Sequence, residues 1–208
     1  MLLFTCKKVL IVAPHMDDEI LGCAGTIILN REQILELIIV YSSEDINRKE
    51  ENKNVAEILK VNRQYCLHLR DGFVSQGYEN GVCQLIDIIQ TERPDIVFIP
   101  HGKDSHVDHV AIYNMAMDAI DKARYWETEH DIWKPGSVVE YEVWSFQENV
   151  SVVVDISSVI EQKLTLMSKY KTQLKDYDYL NHIRYVNGYR GLFYNKKGFA
   201  ECFMIRSV

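Results

Sequence analysis

The chain has 208 residues, 47% of them hydrophobic and 25% charged, with a formal charge of −7 at pH 7. That composition suits a globular protein long enough to bury a sizeable core, and it excludes a disordered chain and a fibre. The acidic balance argues against nucleic acid as a partner, and the apolar runs fall short of the roughly 18 residues that a membrane span needs.

The opening residues, Met1 to Lys8, lack the charged-then-apolar order of a secretion signal. Five cysteines (Cys6, Cys23, Cys66, Cys83 and Cys202) form no CxxC pair. The expectation is a cytoplasmic protein with reduced thiols and no integral membrane segment.

Val9 to Ala13 is a short apolar run of the kind that forms a buried parallel strand, and it stops at Pro14. An amphipathic helix is expected from about Asp18 to Glu32, and a second strand over Ile34–Tyr41. Arg48 to Leu59 has helical spacing, with Val55, Ile58 and Leu59 on one face. Tyr65–Leu69 is a weaker strand, and His68 within it reads as a core or edge histidine. A helix over Val82–Thr91, a strand over Asp95–Pro100 and a helix over Asp108–Lys122 follow.

Strands regularly separated by helices imply parallel β-α-β units with both sheet faces covered. After Tyr125 the pattern changes: strands over Val138–Trp144 and Ser151–Val154, a helix over Ser157–Tyr170, then a Tyr-rich tail from Tyr177 to Tyr194. The fold expected is one α/β domain over 1–208. Its sheet is Rossmann-like and mostly parallel, flanked by helices, with an α+β C-terminal extension.

Open parallel sheets bind ligands outside the carboxyl ends of their strands. The first strand ends in Pro14-His15-Met16-Asp17-Asp18-Glu19, and the Asp95–Pro100 strand runs into His101-Gly102-Lys103-Asp104-Ser105-His106-Val107-Asp108-His109. These segments share one rim and hold four of the seven histidines. Such a crowd of imidazoles and carboxylates invites a divalent metal, and a catalytic zinc takes three such ligands while leaving a position for water. His15 and Asp18 can point to one place; His106 and His109 share a helix face, one for the metal and the other for the substrate. Taken alone, Asp17-Asp18-Glu19 and Asp108 read as helix caps; the coincidence of two such segments favours chemistry. His130 and His182 read as surface residues.

Pro14 to Glu19 resembles the (A)HPDDE signature of the PIG-L, or LmbE-like, N-acetylglucosaminyl deacetylases, and Asp104 to His109 is similar to that family's DxHxDH signature. Arg48 to Leu59, Asp71-Gly72, Asp155-Ile156-Ser157 with Lys163, Tyr170 and Gln173, and Arg190-Gly191 resemble further family segments. Met16 departs from the usual proline, Lys60 from a frequent glycine, and Ser43-Glu44 from Gly-Glu; none removes a ligand. The resemblance implies an LmbE-like fold and a zinc site of His15, Asp18 and His109, at which iron or another divalent metal could substitute. It also implies Asp17 as general base, His106 oriented by Asp108 as oxyanion stabiliser or acid, and Arg48 and Asp71 as substrate-binding residues. The implied substrate is a small amino-sugar conjugate that loses its acetyl group, and a homo-oligomer is compatible with it.

Three other readings stand beside this one. A deacylase of non-sugar amides would use identical chemistry. A non-catalytic sugar- or nucleotide-binding module would need neither Asp17 nor His106. A non-haem iron oxygenase also uses two histidines and a carboxylate, but β-α alternation disfavours it. The aromatic stretch Tyr125–Gly136 and the Tyr-rich tail could each line a pocket or an interface.

Overall fold

The computed structural model describes residues 7–126 and 128–207, so Cys6 and Glu127 lie outside the described residues. Seven strands form one sheet in the order β3-β2-β1-β4-β5-β7-β6. They are β1 Lys7–Ala13, β2 Ile34–Tyr41, β3 Arg63–Cys66, β4 Ile96–Pro100, β5 Ser137–Tyr141, β6 Val152–Asp155 and β7 Ala200–Ser207. The helices are α1 Asp18–Asn30, α2 Lys49–Ile58, α3 Tyr78–Glu92, α4 Val107–Ala123, α5 Ile160–Met167 and α6 Tyr179–Asn195. Strands β3 to β5 in that order run parallel, whereas β7 is antiparallel to both neighbours, pairing its first half with β6 and its second half with β5. The expected α/β class, with its mixed C-terminal part, is the fold observed.

Alternation within β1 explains the layers. Val9, Ile11 and Ala13 face a cluster that includes Ile20 and Ile27 of α1, Val55 of α2, Leu164 of α5 and Ile183 of α6. Leu10 and Val12 face the opposite cluster, built with Leu85 and Ile89 of α3 and Ile112 and Met115 of α4. A strand covered on both faces has no use for polar residues, hence its continuous apolar run.

Several expectations shift in detail. In α2, Val55 and Leu59 face the core while Ile58 is exposed, because only the i, i+4 pair meets the sheet. The third strand lies earlier than Tyr65–Leu69, and His68 follows it as an exposed residue at φ 52°. The expected helix to Tyr170 is regular only from Ile160 to Met167. The Tyr-rich tail contains α6, and β7 was not anticipated.

A buried ion pair is built into α1. The Lys163 ammonium donates to the carbonyl of Leu21 (2.8 Å) and to Glu201 (2.7 Å), and Glu201 in turn accepts from the amides of Gly25 and Thr26 (both 2.8 Å). Side chains of α5 and β7 thus satisfy backbone groups of the helix that starts at the functional rim. Lys163→Ala leaves a buried carboxylate unpaired and is expected to cost about 3–5 kcal/mol of stability, measured by denaturant unfolding. Gly191 has a comparable packing reason, since a Cβ there would lie 2.2 Å from the Gly198 carbonyl oxygen.

Candidate metal centre and active site

Strand order reverses around β1 and β4, which lie side by side while their following helices cover opposite faces. Ligand crevices of open α/β sheets form at such a switch point. Both His-rich segments leave the sheet there.

His15 sits in the turn after β1. Its amide donates to the Asp18 Oδ2 (2.8 Å), and its Nδ1 lies 3.2 Å from that oxygen. His109, in the first turn of α4 and fully buried, brings Nε2 to 3.2 Å from the same Asp18 Oδ2. One carboxylate oxygen is therefore shared between two imidazoles drawn from opposite sides of the crevice. Donor atoms of His15, Asp18 and His109 lie within 4.8 Å of one another.

Although the ring is buried, the Asp18 oxygen 3.2 Å from Nε2 and the Asp104 oxygen 3.6 Å from Nδ1 give neither nitrogen a well-formed hydrogen bond among the described residues. An orphaned buried imidazole is costly, and a cation between it, Asp18 and His15 removes that cost. Two nitrogens and a carboxylate oxygen are the donor set of a catalytic zinc, so the residues fit the metal. The carboxylates also draw protons onto the histidines: against burial, which opposes charge, Asp18 and Asp104 push the His109 pKa up to about 9. Likewise Asp108, Asp18 and Asp71 push His15 up to about 12.

Asp104 went unassigned in the sequence, yet it lies directly behind His109. Its Oδ1 is 3.6 Å from His109 Nδ1 and accepts the His106 amide (2.9 Å), while Oδ2 accepts the Trp144 amide (3.0 Å). A carboxylate behind a ligand histidine fixes its ring orientation. The DxHxDH spacing was the signal that could have singled it out.

Asp17 is buried, beside Asp18, in a backbone conformation of φ 143°, ψ −22° that non-glycine residues rarely adopt. Such strain costs on the order of 1–3 kcal/mol and concentrates at functional sites. Glu19 holds the turn by accepting the Asp17 amide (3.1 Å) and the Tyr170 hydroxyl (3.0 Å), and Tyr170 is tied through Asn52 to Tyr41. Burial, reinforced by Asp18 and opposed by Arg48, pushes the Asp17 carboxyl well above the usual range.

The expected pairing of His106 with the Asp108 side chain is not observed. The Asp108 carboxylate accepts the Gly72 and Val74 amides (2.7 and 3.2 Å) and stands 3.4 Å from His15 Nε2. It is the Asp108 backbone amide that meets His106 Nδ1, at 3.2 Å. In the neutral ring the proton therefore sits on Nε2. Burial, with His109 and His15 nearby, lowers the His106 pKa rather than raising it. By holding the 72–74 turn, Asp108 also places Asp71, whose exposed carboxylate is 3.1 Å from His15 Nε2.

Arg48 reaches the site too, with Nη1 3.8 Å from Asp17 Oδ2 and 3.4 Å from the Met16 carbonyl. Beyond it stands a cluster of Trp144, Tyr177, Tyr179 and His182, with rings 4.9 to 5.9 Å from neighbouring rings of the group. His182 is not a surface residue; it is half-buried and contacts the Val143 carbonyl at 3.1 Å. Burial, then the charges of Asp17 and Asp18, push the Tyr179 hydroxyl pKa up.

The Tyr125–Gly136 stretch lies elsewhere. Trp133 donates from its amide to Ala123, at the end of α4, and from its indole to Pro94, before β4. It therefore flanks the amino ends of the strands, opposite the candidate metal centre. His130, half-buried, pairs there with Asp87 at 3.3 Å.

Known proteins share this architecture. Diacetylchitobiose deacetylase of Thermococcus kodakarensis is 24% identical over 191 residues, covering 82% of this chain and 71% of that protein. A probable N-acetyl-α-D-glucosaminyl L-malate deacetylase of Bacillus subtilis is 25% identical over 193 residues, covering 80% of this chain and 83% of that one. The crystal structure of the conserved protein TT1542 from Thermus thermophilus superposes with a TM-score of 0.84 at 25% identity, covering 95% of this chain and 94% of that chain. Residues 10–120, which carry β1 through α4 and so every proposed ligand, match the family described as PIG-L, GlcNAc-PI de-N-acetylase. The chain belongs to the PIG-L family.

Proposed function

We propose that this protein is a metal-dependent hydrolase that removes the acetyl group from an N-acetylated amino-sugar conjugate, its single domain spanning 1–208. The observation that carries this reading is the Asp18 oxygen held 3.2 Å from both His15 and His109, with buried Asp17 next in the chain. His15, Asp18 and His109 would hold the metal, zinc first and ferrous iron second by donor type. When bound, such a metal supplies an acidified water and polarises the acetyl carbonyl.

The chain's own groups do the rest. Asp17, with its raised pKa, accepts a proton from the attacking water and returns it to the departing nitrogen. His106 donates from Nε2 to the oxygen that gains charge, a role suited to a neutral ring held by the Asp108 amide. Asp104 keeps His109 oriented, and Asp108 keeps the loop of Asp71 in place. Trp144, Tyr177 and Tyr179 offer apolar ring faces with polar edges at the mouth, a surface on which a pyranose ring can lie.

The diacetylchitobiose deacetylase and the probable N-acetyl-α-D-glucosaminyl L-malate deacetylase among its relatives support an amino-sugar substrate. Acetate release is to be measured on those two compounds, on N-acetylglucosamine and on an acetyl-lysine peptide, with and without a chelator. Turnover of a sugar, abolished by chelation, is expected; turnover of the peptide alone would assign the site to non-sugar amides.

Arg48 contacts both the Asp17 carboxylate and the rim. Arg48→Ala is expected to raise KM by about 10- to 100-fold, the scale of a charged hydrogen bond, and also to lower kcat, because Asp17 loses its neighbouring cation. Unchanged steady-state constants would remove Arg48 from the site.

A further inference from the structure

The strained turn at Asp17 is held in shape by buried side chains that lie outside it. One oxygen of Glu19 accepts the Asp17 amide, and the other accepts the Tyr170 hydroxyl. A phenol has one proton, so Tyr170 gives it to Glu19 and accepts from the Asn52 side-chain nitrogen, 3.0 Å away. The same nitrogen donates to the Tyr41 hydroxyl (2.7 Å), while the Asn52 side-chain oxygen accepts from Gln64 (2.8 Å). Each bond in this chain therefore has one direction: Asn52 to Tyr170, Tyr170 to Glu19, and the Asp17 amide to Glu19 from the other side. Tyr41, Asn52, Tyr170 and Glu19 are all buried. A satisfied buried network of this kind is rigid.

Asn52 also belongs to the first turn of α2, where its amide donates to the Arg48 carbonyl (2.8 Å). Beside it, Glu51 accepts the Thr172 amide (3.1 Å) and hydroxyl (2.6 Å). The short stretch 170–172 after α5 thus grips two things at once. It holds the Asp17 turn through Glu19, and the start of α2 through Asn52 and Glu51. Arg48 and Asp17 face each other across 3.8 Å, each joined to that stretch through a single residue. Stability does not account for the arrangement. Asp17, Asp18 and Glu19 are three successive buried carboxylates, a costly way to fill an interior. What the network secures is placement.

We propose that Tyr170 and Asn52 are positioning residues that keep the Asp17 carboxylate and the Arg48 guanidinium in register, Tyr170 through Glu19 and Asn52 through the first turn of α2. The inference rests on Asp17 serving as the base of the proposed hydrolysis. Tyr170 is fully buried, so it acts through Glu19 and not on a substrate. A base must stay within roughly 2.6–3.2 Å of the proton it takes. A misplacement of about 1 Å costs on the order of 10²-fold in rate. Without the Tyr170 hydroxyl, one Glu19 oxygen loses its donor, the carboxylate can swing off the Asp17 amide, and the turn relaxes.

Steady-state acetate release from diacetylchitobiose, or from N-acetylglucosamine where that is faster, tests this, with metal content and melting temperature measured on the same proteins. Tyr170→Phe should lower kcat by about 10- to 100-fold at unchanged metal content. Its KM should change by less than about threefold, because a placed base acts in the transition state. Asn52→Ala should lower kcat and also raise KM, since it loosens the turn beneath Arg48. Double-mutant cycles separate placement from general weakening. In an Asp17→Asn background, Tyr170→Phe should cost no more than about twofold further in kcat, because no base is left to place. In an Arg48→Ala background, the KM effect of Asn52→Ala should vanish likewise. Either cycle decides the matter if the variant of the other fails to fold. Wild-type constants in Tyr170→Phe or Asn52→Ala, or losses of equal size in both backgrounds, overturn the inference and leave Asp17 as the base. Wild-type turnover in Asp17→Asn overturns the proposed mechanism, and this inference with it.

Discussion

Asp18→Asn and His109→Ala are each expected to strip the protein of its metal and abolish hydrolysis together. The Asp18 carboxylate is the meeting point of two imidazoles, and its pKa is held well down by His109 and His15 despite burial that pushes the other way. Asparagine keeps the shape but removes the charge that offsets a divalent cation. Alanine at His109 opens a cavity where the most deeply buried of the three proposed ligands stood. Metal content by elemental analysis and acetate release on the same samples provide the test, and a His109→Ala protein with stoichiometric metal refutes the ligand set. Asp104→Asn should lie between these variants and wild type. It removes only the carboxylate behind His109, so metal affinity should fall by about 10- to 100-fold, the usual effect of disturbing a ligand's supporting partner.

Asp17→Asn separates chemistry from metal binding. Asp17 neighbours a proposed ligand but turns its carboxylate toward Arg48, at 3.8 Å, and its burial raises its proton affinity. Turnover is expected to drop by about 10²–10⁴-fold, the contribution of a positioned base, with metal content unchanged. Loss of metal in this variant would make Asp17 a ligand instead. The backbone at Asp17 sharpens the comparison. Asparagine matches aspartate in size and branching at this strained position, so the substitution should not disturb the turn that Glu19 and Tyr170 hold.

The β-α alternation, the buried strands and the placing of two His-rich segments on one rim were legible in the sequence, because each depends on local periodicity or on chain order. A continuous apolar run such as Val9–Ala13 can only be a doubly covered strand or a buried helix, and its length before Pro14 decides between them. His15, Asp18 and His109 were named as ligands from their motifs, and the fold brings them within one donor set. Tertiary structure alone decided what depends on contacts between distant segments. β7 is too mixed in polarity to declare itself, since Glu201 points inward to meet Lys163 and the α1 amides. The Asp108 carboxylate turned out to serve the 72–74 loop rather than His106, because two backbone amides from a remote turn compete for it. Tyr179 and Tyr189 look alike in sequence, yet one is half-buried within the field of Asp17 and Asp18 and the other faces solvent, since a helix distributes its side chains around an axis whose orientation only the packed sheet sets.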